Sequence, residues 1–152
     1  MRAWRLTRAV YASDPLSGSG AAIAGNRWNS PGTRVAYTST SRALAALEML
    51  VHVTRETGPP DMVFVPVDVP DRLIREASGV PGDWADLPYG PNARKFGDRW
   101  VGEGRSLGLL VPSVVVPAER NLLINPRHRA FGRVRVRVGP VEPFAFDRRL
   151  IR

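Results

Sequence analysis

The stretch Gly25-Asn26-Arg27-Trp28-Asn29-Ser30-Pro31-Gly32-Thr33 sets a guanidinium beside an indole, with an amide and a hydroxyl next to them. Pro31-Gly32 then predicts a turn, because proline presets φ and glycine tolerates φ > 0. Residues 34–38 alternate and read as a short strand carrying Tyr37, and a helix opening at Thr40 or Ser41 carries Glu48. A loop, a strand and a helix can therefore bring Arg27, Tyr37 and Glu48 together. A cation, an aromatic ring and a carboxylate are what a site for an anionic, aromatic, cleavable ligand needs.

Each of these residues also has a structural reading. Arg27 can hold a phosphate through its planar fork, or be a surface arginine. Trp28 can stack on a ligand ring or pack in the core, and Tyr37 has the same two options. Glu48 is the only acid inside an otherwise apolar helix, so it either faces a pocket or is satisfied by an internal arginine; left alone it would cost several kcal/mol, on the order of a buried unpaired polar group. Facing a pocket, it can bind a ribose hydroxyl and stabilise positive charge at an anomeric carbon. With no second carboxylate near it, a two-carboxylate glycosidase is disfavoured. Ser113, after Pro112 in an apolar run, has no base placed by sequence to make it a nucleophile.

The elements that must position these residues alternate irregularly and are broken by many prolines and glycines. Residues 2–11 read as a strand in which Arg2, Arg5 and Arg8 fall between apolar positions, and residues 12–26 as a loop. Gly18-Ser19-Gly20 lacks the third glycine of a dinucleotide fingerprint, because Ile23 stands there. The helix from Ser41 to about Thr54 is apolar nearly all round and is expected to be largely buried, with Gly58-Pro59-Pro60 ending the unit. A strand follows over 62–69, where Pro66 suggests an edge or a bulge, and then a short helix over 71–77. The Pro/Gly-rich segment 79–91 reads as a lid or binding edge. A helix over 92–103 is weakened by Gly97; a strand interrupted by Pro112-Ser113 follows over 107–116, and then a short apolar stretch over 121–126 closed by a turn over Asn125–His128. Residues 133–138 alternate as a half-buried strand with a basic outer face. The class is α+β: one domain over 1–152, with small mixed or antiparallel sheets and flanking helices.

Composition narrows the function. The chain has 152 residues with 22 Lys+Arg against 14 Asp+Glu, a net charge of +8, so it attracts anions or an acidic partner. An arginine-rich composition is equally what a GC-rich genome produces. The arginines of 133–137 are not interleaved with aromatics, so direct nucleic-acid binding is not expected. No apolar run is long enough to span a bilayer, and the N-terminus has no signal-peptide pattern. Cysteine is absent, which fits a reducing cytoplasm, and neither His52 nor His128 lies in a metal-ligand pattern. No metal or resident cofactor is expected.

The chain resembles the RES-domain toxins of bacterial toxin–antitoxin pairs. The markers occur in order: Gly25 to Gly32, Val35-Ala36-Tyr37, Ala45-Ala46-Leu47-Glu48, Val111-Pro112-Ser113, Asn121 through Asn125-Pro126 and His128, and Phe146 to Leu150. The arginine, glutamate and serine of the family name fall at Arg27, Glu48 and Ser113. Asn26 stands where many members have glycine, a turn position in which asparagine tolerates the left-handed conformation. The resemblance implies a fold like that of ADP-ribosyltransferase toxins and breakage of the nicotinamide–ribose bond of NAD, with water or inorganic phosphate as acceptor. That is glycohydrolase or phosphorylase chemistry. In that frame Arg27 meets the pyrophosphate, Trp28, Asn29, Ser30 and Tyr37 line the NAD site, Glu48 serves the chemical step, and Ser113 is a hydrogen-bonding group of the pocket. The implied partner is an antitoxin of the Xre helix-turn-helix type, with a toxin dimer allowed within a hetero-oligomeric complex. The alternatives are mono-ADP-ribosylation of a cellular protein and, from another class, a basic nucleic-acid-binding or ribonuclease-type toxin.

Overall fold

Arg2–Arg8 forms β1, the strand on which the molecule turns. In a computed structural model, which describes residues 1–54, 61–132 and 137–151, β1 pairs along its whole length with β3 (Met62–Asp68), from Arg2↔Asp68 to Arg8↔Met62. On its other edge it meets β2 (Ala36–Ser39) only at Trp4↔Ser39. Continued pairing would set Arg5 opposite Thr38 and Leu6 opposite Tyr37, but the two strands part there. β2 continues into β6 (Arg120–Ile124), β6 into β5 (Gly108–Pro112), and β5 into β4 (Ile74–Glu76), the last pair being parallel and the others antiparallel. β7 (Arg137–Val138) and β8 (Glu142–Phe144) share the outer edge of β3. The α+β class holds, and the strands join into one mixed sheet instead of several.

Valines dominate β3 because both of its faces are covered; Val63, Val65 and Val67 pack with Ala3, Leu122 and Ile124. Pro66 is therefore not on an edge. It falls at the break between β7 and β8, where its carbonyl accepts from Gly139 N at 2.9 Å and its missing N–H is not needed by a ladder. On the opposite side Trp28, Val35, Trp100, Val111 and Leu123 form a second cluster, over which α3 (Pro91–Glu103) lies.

Several elements differ from the sequence expectation. β1 stops at Arg8, and a 3-10 turn leaves Val10 and Tyr11 exposed. The loop before Gly25 contains a short helix, α1 (Ser19–Ala24), which starts at Gly18 with φ +67. Residues 71–77 form a 3-10 turn followed by β4, not a helix. The helix carrying Glu48, α2, spans Arg42–Leu50; Ser41 caps it, its hydroxyl accepting from Leu44 N at 3.1 Å. Only Leu44 and Ala45 of α2 are buried, while Leu47 is 40% exposed, because the helix covers one patch of the sheet and turns its outer face to solvent. Whatever Gly97 costs α3 in helix propensity, it permits the helix's packing: a Cβ there would fall on the Trp28 carbonyl. The expected stop at Gly58-Pro59-Pro60 and most of the alternating 133–138 strand lie outside the described residues.

Candidate active site

The parting of β1 from β2 opens a cavity of about 570 Å³, within the usual range for small-ligand sites. Its walls come from Trp4, Arg5 and Leu6 of β1, Tyr37, Thr38 and Ser39 of β2, and Ala45, Glu48 and Met49 of α2. The Gly25–Trp28 segment, Tyr89 and Asn121 also line it. Arg27, Tyr37 and Glu48, separated in sequence, thus line one cavity.

The loop that carries Arg27 is built from its neighbours. Asn26 and Asn29 form a bridge, with Asn26 N donating to Asn29 O at 2.9 Å. Ser30-Pro31-Gly32-Thr33 closes as a turn, Thr33 N to Ser30 O at 3.1 Å, with Gly32 at φ +91. The left-handed residue at the loop's entrance is Gly25, at φ +71, and not Asn26. Asn29 is fully buried: its amide donates to Ala21 O, Ser30 O and Thr33 O, and its Oδ1 accepts from the Tyr37 hydroxyl at 2.7 Å. Ser30 N donates to Asp98 Oδ1 at 2.9 Å. Neither Asn29 nor Ser30 lines the cavity; both hold the loop in shape. Trp28 reaches the cavity wall, yet its ring is packed against Trp84 at 6.1 Å and Phe96 at 5.9 Å between centroids, so it is chiefly core.

Arg27 donates to the Trp84 and Asp86 carbonyls at 2.5 and 3.1 Å, and its guanidinium lies 5.0 Å from the centre of the Tyr89 ring. Segment 79–91 therefore forms an edge of the site, as its composition suggests. Burial lowers the Arg27 pKa, and the nearby Tyr89, Glu48, Tyr37 and Asp86 oppose that shift. The Tyr37 hydroxyl accepts from Trp28 N at 3.2 Å while donating to Asn29. Burial, the largest influence, pushes its pKa well above that of free tyrosine, so the phenol stays neutral.

Glu48 is gripped from behind. Its Oε1 accepts from Ser113 Oγ at 2.7 Å and from Asn121 Nδ2 at 2.6 Å. Ser113 is fully buried and does not line the cavity; its Oγ also accepts from Val115 N and Val116 N at 3.1 and 2.9 Å. Every hydrogen-bonding capacity of that hydroxyl is used, which leaves it a support for Glu48 and for the β5–β6 connection. Asn121 is tied in turn by the Ser39 hydroxyl at 2.6 Å. His128, by contrast, is away from the cavity, its Nδ1 accepting from Ala130 N at 3.1 Å inside a turn.

Sequence reasoning gave no role to Arg5, Tyr89 or Asn121, which line the cavity. For Arg5 a signal existed. A strand has a period of two, so the three-residue spacing of Arg2, Arg5 and Arg8 puts Arg5 alone on the other face.

The match to known proteins is as extensive as the geometry suggests. The RES domain family model covers residues 2–147. The chain belongs to the RES-domain toxin family. It is 39% identical over 156 residues to the Prs ADP-ribosylating toxin of Sphingobium sp. (strain YBL2), covering 98% of this chain and 96% of that protein. It is 35% identical over 152 residues to Toxin Res of Yersinia enterocolitica serotype O:8 / biotype 1B (strain NCTC 13174 / 8081), covering 99% of each. In fold it is similar to a chain of the M. tuberculosis MbcT–MbcA toxin–antitoxin complex, with a TM-score of 0.71 over 95% of this chain and 84% of that one, at 20% identity. Among the described residues, no helix is long and apolar enough to cross a membrane.

Proposed function

We propose that this RES-domain chain is the toxin of a toxin–antitoxin pair and that it breaks the nicotinamide–ribose bond of NAD, with inorganic phosphate or water as acceptor. The observation that carries this reading is a Glu48 carboxylate fixed by Ser113 and Asn121 in the wall of a cavity that Arg27 and Tyr37 also line. Nicotinamide departs with the electron pair of the glycosidic bond and becomes a neutral base, while the ribose carbon turns positive. A carboxylate already held in place stabilises that charge more in the transition state than in the ground state, which raises the rate as well as the affinity. The acceptor oxygen then bonds to the ribose carbon and gives up its proton. Arg27 meets the pyrophosphate with its fork, exchanging the Trp84 and Asp86 carbonyls for phosphate oxygens. Tyr37, neutral and fixed, lies beside the ribose or nicotinamide. Asn29, Ser30 and Ser113 act by positioning.

One observation favours a second reading: the relative that is 39% identical is an ADP-ribosylating toxin, so the acceptor is alternatively a protein side chain. The partner we infer is an antitoxin of the Xre type. The net charge of +8 would favour an acidic surface on it, and covering the cavity mouth near Arg27 is the simplest block. Purified toxin incubated with labelled NAD, with and without phosphate and with cell lysate, separates these outcomes. Nicotinamide release without labelled protein is expected; labelled protein supports the second reading, and intact NAD under all conditions refutes both.

A further inference from the structure

β1 carries three arginines that have different surroundings. Arg2 makes a two-pronged ion pair with Asp68, at 2.8 Å from Nε and from Nη2. Arg8 is exposed, 6.0 Å from the centre of the Tyr11 ring. Arg5 points the other way, into the gap where β1 and β2 part. There its Nη1 donates to the Tyr37 carbonyl at 3.2 Å, its Nε is buried with no partner, and no carboxylate pairs with it among the described residues. Burial lowers its pKa, and no nearby charge offsets that effect.

A half-buried guanidinium with one hydrogen bond, a buried Nε that has no partner and no counter-charge among the described residues is costly in a folded protein. It becomes favourable if something anionic fills the cavity it lines. We propose that Arg5 is an oxyanion-binding point of this cavity, taking a phosphate group. The group is either one of the dinucleotide's own phosphates or a free inorganic phosphate, and its being a phosphate rests on the NAD reading above. Arg5 reaches the cavity from β1, whereas Arg27 reaches it from the loop before β2, so two cations from separate elements flank Tyr37 and Glu48. One pyrophosphate clamp does not require both, and the second cation enlarges the anionic charge the site can accept.

Calorimetry of wild type, Arg5→Gln and the exposed control Arg8→Gln, titrated with inorganic phosphate and separately with ADP-ribose, tests this. Arg8→Gln is expected to bind as wild type does. Arg5→Gln should lose roughly tenfold or more in affinity for one probe, the size of a lost charged hydrogen bond, while its urea midpoint stays level or rises. Loss confined to ADP-ribose assigns the dinucleotide phosphate; loss confined to inorganic phosphate assigns the free anion. Wild-type affinity for both probes in folded Arg5→Gln overturns the proposal, as does a wild type that binds neither. Should Arg5→Gln not fold, Arg5→Lys keeps the charge without the fork and should still bind several-fold more weakly; unchanged binding again overturns it. Nicotinamide release by wild type is read in parallel. No NAD cleavage, together with Arg5-dependent phosphate binding, would sink the NAD reading and leave the oxyanion point standing.

Discussion

The two edges of β1 are made from the same seven residues and do opposite things. Toward β3 the ladder is complete, and Ala3 packs with Val63, Val65 and Val67 on one face while Trp4 and Leu6 pack with Met62 and Phe64 on the other. Toward β2 the ladder is reduced to Trp4↔Ser39, and in the gap the buried Arg5 Nε has no partner. Arg5 reaches across it to Tyr37, and Glu48 is held nearby by Ser113 and Asn121. A sheet split at one seam supplies rigid walls and an opening at once. Side chains at that seam need not pack against a neighbouring strand, so they are free for a ligand.

The comparison is broken most severely by removing charge at the open edge while leaving the closed one intact. Glu48→Gln keeps shape and most hydrogen bonding; it is expected to fold, to bind NAD, and to release nicotinamide ~10²–10³ more slowly, as when one preorganised electrostatic group is lost. Single-turnover kinetics on the folded variant checks this, and near wild-type turnover would leave Glu48 a structural acid. Next, Arg27→Ala should weaken NAD binding by roughly 1.5–3 kcal/mol, the range for a hydrogen bond to a charged group, and Arg27→Lys should recover only part of it. Calorimetry decides, and equal affinity in wild type and Arg27→Ala would remove Arg27 from the site.

On the closed edge the expectation reverses. Val65→Ala, fully buried in β3, should lower folding stability by about 1.5 kcal/mol, near the burial value of two methyl-sized groups, without changing turnover per folded molecule. Urea unfolding and activity measured together test it; a matching loss of turnover would mean the two edges are not separable. The smallest effect concerns pH. The fold raises the Tyr37 pKa, so it favours the neutral phenol; that contribution is complete below the free tyrosine value of about 10 and declines as pH rises from there toward the folded pKa. Tyr37→Phe should flatten this alkaline decline in a urea series; an identical decline would assign it to another group.

The Pro31-Gly32 turn, the Ser41 cap and the apolar strands around Val63–Val67 are legible because each rests on local rules: φ preference, an orphan N–H, and alternation. The ordered motifs likewise mark the family. Helix length, the state of residues 71–77 and the place of Pro66 are not legible, since neighbours across the sheet decide them.

The sequence alone determined the class, the family and the gathering of Arg27, Tyr37 and Glu48 on consecutive elements between residues 25 and 50. Only the tertiary structure decided which polar residues face the cavity and which support it. Asn29 and Ser113 look like ligand contacts in one dimension but bond within the protein, whereas Arg5 is half-buried with its Nε buried and unpartnered, and pairs with no acid among the described residues. The reason is physical: a side chain's partners are set by long-range strand pairing, such as β2 on β6, that no local pattern of residues encodes.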